Sequence, residues 1–465
     1  MRAKEVLGAS FRDPSGFVFE RDGCIYRQVN RRYAQSFAML MESGLYEFLV
    51  SSGLLVEHRE VDISPPVPTL AAHVIRPEPI PFISYPYEWC FGQLKDAALT
   101  TLDIQLTALD CGMTLKDASA FNIQFLEGRP VLIDSLSFNP YVEGCAWVAY
   151  RQFCEHFLAP LLLMSRVDPW LGRLAALTVD GIPLETTSRL LPTATWLRPT
   201  ALLHVHLHAR SVRRFGGRAV PRSLEARGLS RRGMVNLIEG LKHSIERITW
   251  SPGGTEWSDY EADHGYSDED MEEKHRIVAK LIGEAKPDTV WDLGANTGAF
   301  SRIASRAGAF VVSADVDPAA VERNYQRARS EADMRLHPLW IDLRNPTPAL
   351  GWGSRERKSL AERSTADIVL ALALVHHLAI GANVPFDMIF EFLARLGPEL
   401  VVEFVPKEDP QTQRLLVSRE DVFEDYDQQT FEAALENDFV ITGVHEVGTS
   451  GRTVYRAKRR EDRGA

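Results

Sequence analysis

The sequence predicts an α/β protein whose C-terminal half is an open, doubly wound parallel sheet, preceded by a smaller α+β module. Three observations carry this. Val290-Trp291-Asp292-Leu293 runs into the small-residue turn Gly294-Ala295-Asn296-Thr297-Gly298 and then an apolar helical segment, the pattern of a strand passing through a tight loop into a helix. Two further apolar runs, Phe310 to Asp315 and Leu336 to Asp342, also end in a carboxylate. At 465 residues the chain exceeds one ordinary core. The linker-like Ser251-Pro252-Gly253-Gly254 places a boundary near residue 250.

Composition narrows the function classes. With 52 basic against 63 acidic residues the net charge is −11, which disfavours broad electrostatic binding to nucleic acid or anionic membrane. The five cysteines are scattered and never in C-x-x-C spacing, which points to reduced thiols in the cytoplasm and to no zinc site. No apolar run reaches the ~18 residues of a membrane span, and Met1 to Asp13 holds no hydrophobic signal region.

From the N-terminus, Gly16 to Val29 alternates around Asp22-Gly23, a hairpin signal. Tyr33 to Leu55 has helical spacing throughout, and the Pro-rich Ile63 to Pro81 reads as loop or edge strand. Glu88 to Cys111 is a long helix. Next come Asp117, Asn122, a short hairpin, and Val131-Leu132-Ile133 ending in Asp134. The alternating His204, His206 and His208 would share a face on a strand and be separated on a helix, and no carboxylate or cysteine lies nearby. The arginines from Arg210 to Arg232 make a solvated connector or an anion-facing run.

The second half opens with Trp257, Tyr260 and Tyr266 ahead of a helix from Asp268 to Ile282. These aromatics are candidates to wall a pocket. After the three acid-ended strands come Asp367 to Leu374, Glu399 to Val405, Phe439 to Val444 and Thr453 to Lys458. The fourth strand leads into Val375-His376-His377-Leu378, and the fifth carries Glu403 to the same sheet edge. Gly294 and Gly298 let a ligand lie on the main chain. Asp315 can accept both hydroxyls of a ribose, and Asp342 can accept from an adenine amino group. The second glycine of a dinucleotide fingerprint is replaced by Asn296, which argues against NAD.

On D-L-G-A-N-T-G and the acidic strand ends, the segment from Asp292 onward resembles class I S-adenosylmethionine-dependent methyltransferases. The resemblance implies a seven-stranded Rossmann-like sheet closed by an antiparallel pair. S-adenosylmethionine is then the cofactor, held by Asp292, Gly294, Asn296, Gly298, Asp315 and Asp342. His376, His377 and Glu403 are the candidate catalytic residues, and no metal is expected. The V-H-H-L segment is similar to the fourth motif of small-molecule methyltransferases, and the N-P-P-Y type of loop is absent. A small-molecule or sugar-like hydroxyl acceptor is therefore expected, with a histidine as base near its ordinary pKa.

The Asp117, Asn122 and Asp134 spacing resembles the catalytic loop and metal-binding strand of protein-kinase-like phosphotransferases. Leu115-Lys116 stands where kinases carry His-Arg, Ser135-Leu136 follows Asp134, and no Gly-rich phosphate loop is present. The expected organisation is a kinase-like α+β module over 1–200, an Arg-rich helical connector over 201–250 and a methyltransferase domain over 251–465. The first module would select or present the acceptor. The alternative is a phosphotransferase or nucleotide sensor in the first half, with a regulatory second half. Tyr85-Pro86-Tyr87-Glu88-Trp89, Leu115 to Ala118 and Val402 to Lys407 make the whole chain similar to a bacterial group of two-part proteins that includes nodulation-associated methyltransferases.

Overall fold

A computed structural model describes residues 6–210, 230–253, 267–363, 365–417 and 421–461. Trp257, Tyr260, Tyr266 and most of the connector arginines lie outside these. The chain divides into two compact units, Met1–Ser251 with Ala349–Arg357, and Pro252–Pro348 with Lys358–Ala465.

The first unit holds a four-stranded antiparallel sheet of order β1-β2-β4-β3. Its strands are β1 Gly16–Arg21, β2 Cys24–Asn30, β3 His58–Glu60 and β4 Ala71–Pro77. Asp22 and Gly23 both take positive φ (52° and 71°), as a two-residue hairpin turn requires. The proline-rich region contributes β4 in the interior of the sheet, and the short β3 covers its edge. The expected single helix over Tyr33 to Leu55 is two, Ala34–Glu42 and Leu45–Ser51, because Gly44 turns left-handed at φ 78°.

The helix Phe91–Asp110 leads to β5 Met113–Leu115, the hairpin β6 Ile123–Leu126 and β7 Arg129–Leu132, and β8 Phe138–Pro140, which pairs with β5. The helix Arg231–Glu246 packs on Phe91–Asp110. His204 and His206 fall in a π-helical turn, Leu202–Leu207. Tyr150 hydroxyl contacts His204 at 2.6 Å, while His206 lies between Ser188 and Thr195. The helical geometry thus sends these imidazoles to different partners.

The second unit is built on a seven-stranded sheet of order β11-β10-β9-β12-β13-β15-β14. The strands are β9 Thr289–Leu293, β10 Phe310–Asp315, β11 Leu336–Trp340, β12 Ile368–Ala371, β13 Glu399–Phe404, β14 Phe439–Glu446 and β15 Thr453–Arg459. The first five are parallel, and β15 runs antiparallel to both β13 and β14. This is the seven-stranded α/β sheet, closed by an antiparallel pair, that the resemblance implied. Val290, Val311, Leu336, Leu370 and Val401 share one buried cluster with Val278, Leu281 and Ile282 of the helix Asp268–Ala285. The strand order reverses between β9 and β12, so the crevice at their carboxyl ends is where such a sheet takes a ligand. Among the described residues no helix is long and apolar enough to cross a membrane.

Candidate active site

The turn after β9 is fixed by its own backbone. The N–H groups of Gly294 and Ala295 both donate to the Ala314 carbonyl, at 2.9 and 3.0 Å. Gly294, Asn296 and Gly298 take φ of 76°, 50° and 82°. At Gly298 a Cβ would sit 2.4 Å from Asn324 Oδ1, so only glycine fits. The turn feeds the helix Ala299–Arg306, whose Ser301 hydroxyl donates to Asp292 Oδ2 at 2.5 Å and lies 2.9 Å from Ser313 Oγ. Asn324 Nδ2 donates to Ser313 Oγ at 2.8 Å. Asp292 is thereby threaded into a buried network joining two strands and two helices. Burial pushes its pKa up to about 6, with the Ser301 hydrogen bond opposing.

Asp315 ends β10 beside this turn. Its Oδ2 accepts the Asn296 N–H at 2.7 Å and its Oδ1 accepts the Asp317 N–H at 2.8 Å. The carboxylate is therefore held rigidly by main chain, and each oxygen keeps acceptor capacity for a hydroxyl. Burial pushes this carboxyl up to about 6, against the pull of those N–H groups. Asp342, beyond β11, is engaged differently. Arg344 clamps it with Nε to Oδ1 and Nη2 to Oδ2, both at 3.0 Å. An adenine amino group would share these oxygens with that guanidinium.

The strand β12 stops at Ala371, so His376 and His377 lie in the first turn of the helix Val375–Ala382. Their rings are 4.1 Å apart. His376 is buried, neither ring nitrogen has a hydrogen-bond partner among the described residues, and burial holds its pKa well below the ordinary value. His377 is pulled down to about 4 by burial, then by Arg452 and Arg344. Both imidazoles are neutral at pH 7. Burial thus sets both below the ordinary histidine pKa on which the expectation of a base rests.

Glu403 is fully buried and pairs with Lys274 Nζ at 2.7 Å. Burial lowers the Lys274 pKa, and Glu403 opposes that. The ammonium also lies 4.9 Å from the Phe300 ring centroid, onto whose face His275 stacks. A second buried pair, Arg452 Nε to Asp409 Oδ2 at 2.8 Å, lies on the same side, and its guanidinium is among the charges acting on His376. Sequence reasoning missed Lys274, Arg452 and Asp409. Lys274 carried a signal, since it falls on the stripe of Ile277, Val278 and Leu281, where an amphipathic helix places apolar residues.

In the first unit, Asp117, Asn122 and Asp134 do converge. Asp117 accepts from Ser119 N–H at 3.0 Å and Gln152 Nε2 at 2.8 Å, and the Asn122 side chain also bonds it. Its pKa is raised by burial and by Asp134. Arg27 Nη1 pairs with Asp134 Oδ1 at 2.8 Å. Among the described residues no group of three His, Cys, Asp or Glu is disposed to hold a metal.

No family model matches the sequence. Nodulation protein NoeA of Rhizobium meliloti (strain 1021) is 36% identical over 466 residues, spanning 98% of this chain and 96% of that protein. Solved structures overlap only slightly. Magnesium protoporphyrin IX methyltransferase (ChlM) from Synechocystis PCC 6803 with bound SAM has a TM-score of 0.31 at 19% identity, over 45% of this chain and 86% of that one. The N-methyltransferase NodS from Bradyrhizobium japonicum WM9 gives 0.32 at 13%, over 42% and 99%. The bifunctional kinase-methyltransferase WbdD gives 0.31 at 17%, over 45% and 43%. The full-length match is the decisive one, and the chain belongs to the family of the nodulation protein NoeA.

Proposed function

We propose that the chain is an S-adenosylmethionine-dependent methyltransferase acting on a hydroxyl of a small-molecule or sugar-like acceptor. The observation that carries the reading is Asp315. A half-buried carboxylate, pinned by two main-chain N–H groups at the carboxyl edge of the sheet, stands beside a turn whose glycines allow a ligand to approach. A vicinal diol would satisfy both of its oxygens at once, and the 294–298 turn would hold the methionine end of the cofactor.

Methyl transfer from a sulfonium is an in-line displacement, so the protein contributes alignment and exclusion of water. The Lys274–Glu403 and Arg452–Asp409 pairs hold the sheet edge rigid around His376. Neutral His377 accepts a hydrogen bond from the acceptor hydroxyl and orients its lone pair toward the methyl group. Such an imidazole is a weak base, and positioning is its larger contribution. The first unit selects or presents the acceptor.

The test is incubation with radiolabelled S-adenosylmethionine and cell extract, fractionated into protein, RNA, saccharide and small-molecule pools. Label in the saccharide or small-molecule pool is expected. Label confined to protein or RNA would overturn the acceptor class, and no label in any pool would overturn the activity.

A further inference from the structure

The first unit contains a charged cluster that methyl transfer does not use. Arg27 on β2 and Lys116, just beyond β5, converge on Asp13. Arg27 Nη2 lies 3.4 Å from Asp13 Oδ2, and Lys116 Nζ lies 3.9 Å from Asp13 Oδ1. Other groups facing them are Asp134, paired with Arg27 Nη1 at 2.8 Å, His58, whose pKa Arg27 helps to lower after burial, Ser15 Oγ, 2.6 Å from Lys116 Nζ, and the Tyr33 ring, 4.6 Å from Lys116 Nζ.

Two features single out Asp13 as a weak partner. Both of its ion-pair distances are long beside the 2.8 Å pair that Arg27 makes with Asp134. Arg27 is only 8% exposed, yet its Nε–H has no hydrogen-bond partner among the described residues. An arginine fork and a lysine ammonium on one spot match a tetrahedral oxyanion better than one planar carboxylate. A phosphate monoester offers three acceptor oxygens and roughly −1.5 to −2 charge at neutral pH.

We propose that Arg27 and Lys116 form an anion subsite which Asp13 fills as an internal stand-in, and that a phosphate-bearing small molecule binds the first unit by displacing Asp13. Asp13 sits on the turn before β1, its Oδ1 also accepting the Ser15 N–H at 2.8 Å. Displacement therefore needs only a local rearrangement of that turn.

The experiment is calorimetry of the full chain with inorganic phosphate, comparing wild type with Asp13→Asn. An asparagine oxygen still accepts the Ser15 N–H, so the turn survives while the charge is removed. Phosphate affinity should rise at least 10-fold in Asp13→Asn, with S-adenosylhomocysteine affinity unchanged. Adding Lys116→Gln, which keeps a donor for Ser15, should remove most of that gain, and adding Arg27→Gln should abolish it. AMP binding tighter than glucose 6-phosphate on Asp13→Asn would assign a nucleotide as the source of the anion, and the reverse order a sugar phosphate. No gain in Asp13→Asn, or a gain that survives Lys116→Gln, overturns the proposal.

Discussion

Lys274→Met is the sharpest structural perturbation at the site. The pair it breaks is 3% and 0% exposed at 2.7 Å, so solvent screens it little. Methionine keeps the length of the stem and its helix propensity, removes the ammonium and leaves the Glu403 carboxylate uncompensated. Breaking a buried pair from one side costs roughly 3–5 kcal/mol, and losing the contact with Phe300 adds about 0.5–2 kcal/mol. Protonating Glu403 relieves part of this, so the deficit should shrink on acidification from pH 8 to pH 5. Replacing both partners in Lys274→Met/Glu403→Leu removes the stranded charge and should recover stability to within about 1 kcal/mol of wild type. Urea unfolding followed by tryptophan fluorescence reads this, because Trp291 and Trp340 are buried in the same unit. A single-variant loss below about 1 kcal/mol, or a double variant no better than the single one, would refute the reasoning. Uncoupled stabilities together with an inactive Glu403→Gln would make Glu403 an acceptor-side group rather than half of a structural pair.

Three other residues of the site carry expected outcomes. Gly298→Ala forces a Cβ to within 2.4 Å of Asn324 Oδ1 at φ 82°, so S-adenosylhomocysteine binding measured by calorimetry should be lost; affinity within threefold of wild type would contradict this. Asp315 is raised to about 6 by burial, so its ionised, hydroxyl-accepting form is lost as pH falls through 6. S-adenosylhomocysteine affinity should weaken toward pH 5, by at most about 10-fold per pH unit, and a flat profile from pH 5 to 8 would exclude the role. In the ligand-free protein the same shift acts oppositely. A carboxyl raised above its unfolded value contributes stability below pH 4 that is lost as pH rises through 6. With His377 held near 4, turnover at saturating cofactor should show no acid limb at pH 6 to 7. His377→Asn should lower kcat about 10- to 10²-fold with cofactor affinity unchanged, whereas a collapse of cofactor affinity would make it a packing residue.

The β9 turn and the strands ending in Asp315 and Asp342 were legible because each feature is local. An apolar run, a carboxylate and small turn residues sit within a few positions of one another. The interior place of β4 was not, since it depends on what packs across the sheet; the two-helix break did have a local signal in Gly44, which the helical spacing on either side outweighed. The same distinction applies at the site. Asp292, Gly294, Gly298 and Asp315 meet through consecutive strands, whereas Glu403 finds Lys274 across 129 positions of sequence. A polar residue at a strand end looks alike whether it faces substrate or a buried counter-ion. His376 and His377 lie at the sheet edge their segment suggested, but their pKa values are depressed first by burial, then by His377, Arg452 and Lys274 at His376 and by Arg452 and Arg344 at His377, and the burial and the distant charges leave no local pattern.

The most direct test of the central claim is calorimetric titration of S-adenosylhomocysteine into wild type and Asp315→Ala. The account predicts one site per chain in wild type. Removing a charged acceptor of two hydroxyls at roughly 1.5–3 kcal/mol each should weaken Asp315→Ala by about 10²-fold or more, with the fold intact by thermal melting. Wild type that does not bind, or a variant that binds as tightly as wild type, would contradict it.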